Sequence, residues 1–297
     1  MIDIAFVILN FNIVDETIDC IESIEKNIDT KNYQIIVVDN GSKNEIIRQL
    51  KIKLSNHQNI EFIVNNENLG FARGNNIGIE KALQYSPKFI ACINNDTLIL
   101  QKNFFEVLNE KYEKYKPSLI GPKIILKDGS EQHRPAKPLT KGQYELLIKR
   151  YEIEKNNIKT LLITSLKSNR IINHIYNSIF SKFRKGREKY FKESINVVLH
   201  GCFLIFTPQF FKKLKGFNES TFLYLEEEFL YFDVRINNLT TLYTPDLWIK
   251  HLEDVSTETI ISSNTEKRNF VRLHQVNSLK KLVNYMDENE KKIKDLR

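Results

Sequence analysis

Cysteine is scarce and scattered: the 297 residues hold three, Cys20, Cys92 and Cys202. They stand far apart in apolar surroundings. That excludes a disulfide ladder and a paired metal-ligand spacing, and it points to a reducing compartment with three small buried hydrophobes. No apolar run approaches the roughly 18 residues of a membrane span. Met1-Ile2-Asp3-Ile4 places an acid where a secretory leader would be basic, so no signal peptide is expected, and the protein is expected to be cytoplasmic, soluble or peripheral. The first strand-like run ends in Leu9-Asn10-Phe11-Asn12-Ile13 with no glycine-rich loop after it. P-loop and dinucleotide fingerprints need glycines there, so that backbone amides can approach phosphate. No Ser-His-Asp or Cys-His arrangement, internal repeat or low-complexity linker is discernible, and no RNA- or DNA-binding module, so nucleic acid is not an expected partner.

What is present is an apolar fraction of 41%, enough for a substantial core, and a formal net charge of +7, which favours anionic partners. Short apolar runs of buried-strand type at 4–9, 35–38, 60–64 and 88–93 alternate with helical spacings at 15–28, 45–54 and 75–85. Strand alternating with helix predicts a parallel sheet with crossover helices, whose ligands bind outside the carboxyl ends of the strands. Asn10, Asp39, Asn65 and Asp96 all fall at such ends. Further on, a helix is predicted over 104–115, a strand over 120–126 and a long, basic, largely helical stretch over about 140–192. A strand pair or bent strand is predicted over 197–207, short strands over 239–243 and 247–250, and a charged helix from about 264, with Phe270, Leu273, Val276, Leu279 and Val283 on one side. The two halves are expected to share one sheet.

Several segments carry chemistry, each with a plainer reading beside it. Leu9-Asn10-Phe11-Asn12 either holds a nucleotide edge-on or is a simple turn. Asp39, before Asn40-Gly41-Ser42, either accepts bonds from a base or ribose or forms an Asx-turn that caps the next helix. In Asn68-Leu69-Gly70-Phe71-Ala72-Arg73-Gly74, two glycines permit tight turns before a helix whose N-terminus favours phosphate, with Arg73 in reach. Asn94-Asn95-Asp96 offers one firm carboxylate, either a helix cap or a ligand of a hard cation that completes its shell with diphosphate and water. Glu226-Glu227-Glu228 are adjacent acids whose mutual repulsion should raise at least one pKa and so make a usable general base; the plain alternative is a solvated helix start. His251, at the end of an apolar run, is a metal ligand or a structural histidine.

In order and spacing, these segments together with Gly201-Cys202-Phe203 and Phe222-Leu223-Tyr224-Leu225 resemble family 2 glycosyltransferases of the GT-A fold, and within them rhamnosyltransferase-like enzymes of bacterial surface-polysaccharide synthesis. The resemblance implies an α/β fold: a Rossmann-like mixed sheet flanked by helices, with a helical insert and a C-terminal helix. A GT-A domain is expected over 1–256, its nucleotide-sugar half over 1–96 and its acceptor half over 97–256, followed by a helical segment over 257–297. The implied activity is inverting, metal-dependent transfer of a hexosyl or deoxyhexosyl group from a UDP- or dTDP-linked sugar to a hydroxyl of a lipid-linked saccharide, for capsule, O-antigen or cell-wall polysaccharide. Donor contacts are then expected from Leu9, Asn10, Phe11, Asn12, Asp39, Gly41, Asn68, Gly70, Arg73, Gly74, Asn94, Asn95, Asp96 and Gly201. Asn94-Asn95-Asp96 stands where the family carries Asp-X-Asp, so Asp96, with His251, would hold Mg²⁺ or Mn²⁺, and Asn94 replaces the first acid. Glu227 stands at the family's base position, with Glu226 its rival.

Three further readings concern the basic stretch, which carries Lys182-Phe183-Arg184-Lys185-Gly186-Arg187. It suits contact with an anionic membrane surface on the inner face of the plasma membrane, or else a solvated face or homodimer contact. Alternatives to the transferase are a nucleotidyltransferase that forms sugar nucleotides, which would want a glycine-rich basic loop after the first strand, and a catalytically inactive sugar-nucleotide binding module, motivated by Asn94.

Overall fold

The computed structural model describes residues 1–55, 57–132, 135–160, 192–252 and 264–295. The cluster at 182–187, and with it the membrane-contact reading, lies outside the described residues.

Strands β1 (Ile2–Asn10), β2 (Tyr33–Asp39), β3 (Ile60–Val64) and β4 (Pro87–Asn94) are linked by helices α1 (Asp15–Asn27), α2 (Asn44–Leu54) and α3 (Phe71–Leu83) and pair in parallel. Then come β5 (Thr97–Leu98), α4 (Phe104–Tyr115), β6 (Leu119–Leu126), α5 (Lys141–Thr160), β7 (Ser194–Ile195), β8 (Phe203–Phe206), α6 (Pro208–Phe211), α7 (Glu226–Ile236), β9 (Thr241–His251), α8 (Asn264–Glu288) and α9 (Glu290–Lys294). All strands among the described residues join one nine-stranded mixed sheet of order β3-β2-β1-β4-β8-β6-β9-β5, with β7 on β9. Both halves of the chain thus build a single sheet, as expected.

The apolar runs form buried strands because both faces of the sheet are covered. Ile4, Phe6 and Ile8 of β1 point to the side packed by α1, α2 and α4, while Ala5 and Val7 point to the side packed by α3 and α7. Side chains alternate with period two, so a run apolar at every position is the mark of a strand sandwiched between helices. On the second face α3 lies unusually close to β1. A Cβ on Gly78 would come within 2.2 Å of Val7 Cγ1, so only glycine allows this approach. A third apolar group joins Phe229 and Phe232 of α7 to Tyr144 of α5 and to Leu279, Leu282 and Met286 of α8.

The elements differ from expectation in four places. Helix α3 begins at Phe71, one turn before 75, because Gly74, Asn75 and Asn76 weaken the helical signal while serving packing. The two short strands predicted after 239 are one strand, β9, irregular where it faces Pro122 and Lys123. Within 197–207 only β8 is a strand, and Val198 makes an isolated bridge to Ala136. In α8 the buried face runs through Leu279, Leu282 and Met286, and Leu273 is 53% exposed.

Candidate active site

Sheet register brings the polar strand ends together. Asn10 faces Asp39 across β1 and β2, and Leu9 faces Asn94 across β1 and β4. The resulting cluster is buried and internally hydrogen-bonded. Asn10 Nδ2 donates to Asp39 Oδ2 at 2.9 Å, and Asn10 Oδ1 accepts from Thr17 Oγ1 at 2.9 Å and from Asn95 Nδ2 at 3.2 Å. Asp39 Oδ1 accepts from the Ser42 N–H at 2.8 Å, the Asx-turn arrangement. A carboxylate has about four acceptor sites, so these two bonds do not saturate Asp39, which is itself fully buried.

The loop before α3 is tied to the same rim. Asn40 Nδ2 donates to Asn68 Oδ1 and to the Gly70 carbonyl, and Asn40 Oδ1 accepts from Asn65 Nδ2 and the Leu69 N–H. Gly41 and Gly70 both have left-handed backbones, at φ 81° and 84°. Gly70 also lies against Phe222, whose carbonyl accepts the Phe71 N–H at 2.9 Å; a Cβ on Gly70 would fall 2.3 Å from that oxygen. This contact joins the early half of the chain to the loop that leads into the acidic helix. Asn12 turns at φ 58° and bonds Ser42 and Lys43. Phe11 is half-buried beside it, and Leu9 packs on Gly74. Arg73 is exposed and lies 3.6 Å from Glu219, away from the cleft described below.

Beyond Asn94 the chain turns into β5, whose Thr97 pairs with His251 of β9. That register sets Asp96 beside His251: Asp96 Oδ1 is 3.1 Å from His251 Nε2, and both residues are buried. His251 Nδ1 is 2.7 Å from Gln132 Oε1. An amide oxygen only accepts, so Nδ1 is the donor in that contact, and Nε2 faces the carboxylate. At this spacing either a hydrogen on Nε2 or a metal ion can bridge the two atoms. Cis ligands of an octahedral ion, bonded at about 2.1 Å, stand about 3.0 Å apart, so the donor set fits one hard divalent ion. Among the described residues no group of three or more His, Cys, Asp or Glu side chains is placed to hold a metal, so the rest of such a shell would be substrate and water.

Next to this pair opens a cleft of about 410 Å³. Its floor is Asn94 and the segment Val198 to Cys202, its back is Glu226, Glu227 and Glu228, and its outer wall is Leu147 and Tyr151 of α5 with Gln275 and Leu279 of α8. The floor runs beside the end of β4: the Asn94 N–H donates to the Cys202 carbonyl at 2.9 Å, continuing the β4–β8 ladder. Glu227 Oε1 accepts the Gly201 N–H at 3.1 Å. Glu226 is 4% exposed and accepts from Thr221 Oγ1 at 3.0 Å; burial first, and the neighbouring Glu227 charge second, push its pKa up to about 7. Burial and the same neighbour also raise Glu228. The sequence-level expectation of a raised carboxyl thus applies to the two residues that flank Glu227. Tyr224 and Leu225, just before α7, both adopt left-handed backbones at φ 73° and 69°. Ser278 of α8 holds the loop from outside, its Oγ donating to the Leu223 carbonyl at 2.8 Å.

Sequence reasoning missed Thr17, Gln132, His200 and the α5–α8 wall. His200 had a signal, as a lone histidine next to the quoted Gly201-Cys202-Phe203. Its Nδ1 accepts the Cys202 N–H at 3.1 Å, and burial, with the nearby His251 second, lowers its pKa to about 4. Gln132 and the wall had none, being brought in by chain return.

Comparison with known proteins gives this geometry a family. The family model described as glycosyl transferase family 2 matches residues 5–206. The bifunctional glycosyltransferase pgtA of Dictyostelium discoideum is 35% identical over 91 residues, 30% of this chain but 12% of its own length. Among solved structures, S. aureus TarS 1-349 aligns with TM-score 0.50 at 13% identity, covering 84% of this chain and 60% of its own. GalNAc-T7, solved with UDP, GalNAc and Mn²⁺, aligns with TM-score 0.55 at 15% identity, covering 91% of this chain and 48% of its own. The chain therefore spans less than two thirds of each of these relatives, and the two structures speak for the fold alone. The mixed sheet with helices on both faces is the GT-A fold. By the match over residues 5–206, the chain belongs to glycosyl transferase family 2.

Proposed function

We propose that the chain is an inverting, metal-dependent glycosyltransferase that moves a hexosyl or deoxyhexosyl group from a nucleotide diphosphate sugar to a hydroxyl of a lipid-linked saccharide in surface-polysaccharide synthesis, with UDP or dTDP as the carrier. One observation carries the reading: Glu227, held on the Gly201 N–H, shares a cleft with Asn94, at the edge of the Asp96–His251 pair. The Mn²⁺ and UDP in the GalNAc-T7 structure support the same donor class.

In this reading Asp96 and His251 hold the divalent ion, with Gln132 fixing the His251 tautomer. When bound, the ion supplies positive charge to the leaving diphosphate. Glu227 accepts the proton of the acceptor hydroxyl as that oxygen attacks the anomeric carbon, and the Gly201 N–H keeps the carboxylate aimed. The rim formed by Asn10, Asp39, Asn40 and Asn68 takes the nucleoside, backed by Leu9, Phe11, Asn12, Gly41, Gly70, Arg73 and Gly74, while Asn95 braces Asn10. Leu147 and Tyr151 of α5 with Gln275 and Leu279 of α8 line the side of the cleft where the acceptor would enter. Incubation with UDP- and dTDP-sugars and Mn²⁺ should release nucleoside diphosphate in the wild type and far less in Glu227→Gln. Undiminished release in Glu227→Gln would remove the assigned base.

Asn94, in place of an acid, favours one competing reading, a module that binds sugar nucleotides without turning them over. Tight binding of a nucleotide sugar with no release in the presence of Mn²⁺ and a saccharide acceptor would establish it.

A further inference from the structure

Thr97 carries a hydroxyl that neither the metal-holding pair nor the base puts to use. The residue is wholly buried, and its Oγ1 has no hydrogen-bond partner among the described residues. A buried hydroxyl left unpaired costs free energy on folding, so its retention asks for a partner that arrives later. Thr97 stands where an ion's shell would be that partner. It follows Asp96 directly, and it is the residue paired with His251 across β5 and β9. The Leu252 N–H donates to the Asp96 carbonyl at 2.9 Å, one step out from that pair. Thr97 and His251 are therefore a non-hydrogen-bonded antiparallel pair, with side chains on the same face of the sheet and Cα atoms about 4.5 Å apart, the closer of the two spacings. The hydroxyl is thus set beside the root of the His251 side chain, whose Nε2 lies 3.1 Å from Asp96 Oδ1.

We infer that Thr97 is a positioning residue of the metal centre: its hydroxyl gains its missing partner when a divalent ion binds, by donating to an oxygen of the ion's shell. The inference rests on the reading of Asp96 and His251 as ligands. It adds to them a third protein group, in a chain that carries Asn94 instead of an acid. Hydrogen bonds to the oxygens around a metal orient them and strengthen its binding. A hydroxyl that is idle without the ion makes a new bond on loading rather than exchanging one partner for another, so its whole contribution favours the loaded state.

The test titrates Mn²⁺ into the full chain with UDP, and in parallel with dTDP, by calorimetry, for the wild type, Thr97→Val and Thr97→Ser. Urea denaturation of each without metal runs beside it. Val has the shape of Thr without the hydroxyl; Ser keeps the hydroxyl without the methyl. The expected result is a roughly ten- to hundredfold weaker Mn²⁺ affinity in Thr97→Val, the scale for losing a group that supports metal ligands, with most of it recovered in Thr97→Ser. The metal-free midpoint of Thr97→Val should be no lower than that of the wild type, because no bond is lost there. A folded Thr97→Val that binds Mn²⁺ as tightly as the wild type overturns the inference, and so does a loss that Thr97→Ser shares equally. A fall in metal-free stability alongside affinity, with Thr97→Ser restoring both, overturns it too, since the hydroxyl would then already serve the metal-free fold. If Thr97→Val does not fold, Thr97→Ala against Thr97→Ser decides: equal affinities overturn the inference, and an Ala-specific loss upholds it. A wild type that binds UDP or dTDP but no Mn²⁺ overturns Asp96 and His251 as ligands, and this inference with them.

Discussion

Glu227 Oε1 and the Gly201 amide are 3.1 Å apart, and the space beside that bond is so small that a Cβ on Gly201 would fall 2.7 Å from the same oxygen. The residue that orients the carboxylate must therefore be one without a side chain. Gly201→Ala should push Glu227 out of line by about an ångström while leaving the fold intact, since the far end of a flexible side chain can move. Misplacement on that scale costs about a hundredfold in rate. Steady-state kinetics should show the fall in kcat, with KM for the donor little changed and an unaltered circular dichroism spectrum.

Glu227→Gln and Glu226→Gln separate the two candidate bases. A general base contributes about 10²–10⁴ in rate, so Glu227→Gln should lose that much. Gln keeps an Oε1 to accept from Gly201, so the geometry survives. Glu226→Gln should lose less than about tenfold, because Glu226 is buried and bonded to Thr221. The opposite ranking in a donor-release assay would hand the role to Glu226.

Glu226 also makes a stability prediction. Its folded pKa, about 7, lies above the ordinary value of 4.5. Between those two pH values the folded state holds the proton more tightly than the unfolded state, so stability falls as pH rises through this window and levels off above it. Glu226→Gln should flatten the fall and stabilise the protein at pH 8 by on the order of 2 kcal/mol. Urea denaturation at pH 5 and pH 8 checks this, and a variant equally stable to the wild type at both would contradict it.

Gly78→Ala tests the closeness of α3 to β1. The added methyl would meet Val7 Cγ1 at 2.2 Å, an overpacking expected to cost about 1–3 kcal/mol. Adding Val7→Ala in the same chain removes the clash, so the double variant should cost less than the sum of the single changes by chemical denaturation.

Gln132→Ala tests the tautomer argument. Losing the partner that fixes a ligating histidine typically weakens metal affinity about 10–100-fold. Mn²⁺ titration in the presence of UDP should show that loss, and Asp96→Ala should abolish detectable binding. Mn²⁺ affinity unchanged in Asp96→Ala would dismiss the pair as a metal site.

What was legible in the sequence was whatever local pattern determines. The first four strands were readable because burial on both faces demands apolar residues at every position, and Asn10, Asp39, Asn65 and Asp96 could be placed at one set of strand ends because parallel strands end on the same side. Helix α3 was read short, since its glycines and asparagines look like loop residues until their close packing on β1 is seen. The link between Asp96 and His251 depends on a two-residue strand pairing 154 positions away in sequence, from Thr97 to His251, which no local pattern announces. Gln132 and the α5–α8 wall depend on how distant segments return to the sheet, and were invisible for the same reason.

Tyr224 and Leu225 turn the opposite way from nearly every other side-chain-bearing residue, at φ 73° and 69°, on the last two steps before the acidic helix. Left-handed backbone disfavours such residues by about 1–2 kcal/mol each. Glycine at either place would relieve that tension, yet both side chains line the cleft, and a glycine would leave a gap in its lining. The kink is thus a tightened spring whose coil is also the mould of the pocket, and relaxing it would yield a sturdier molecule with a blunter grip on what it holds.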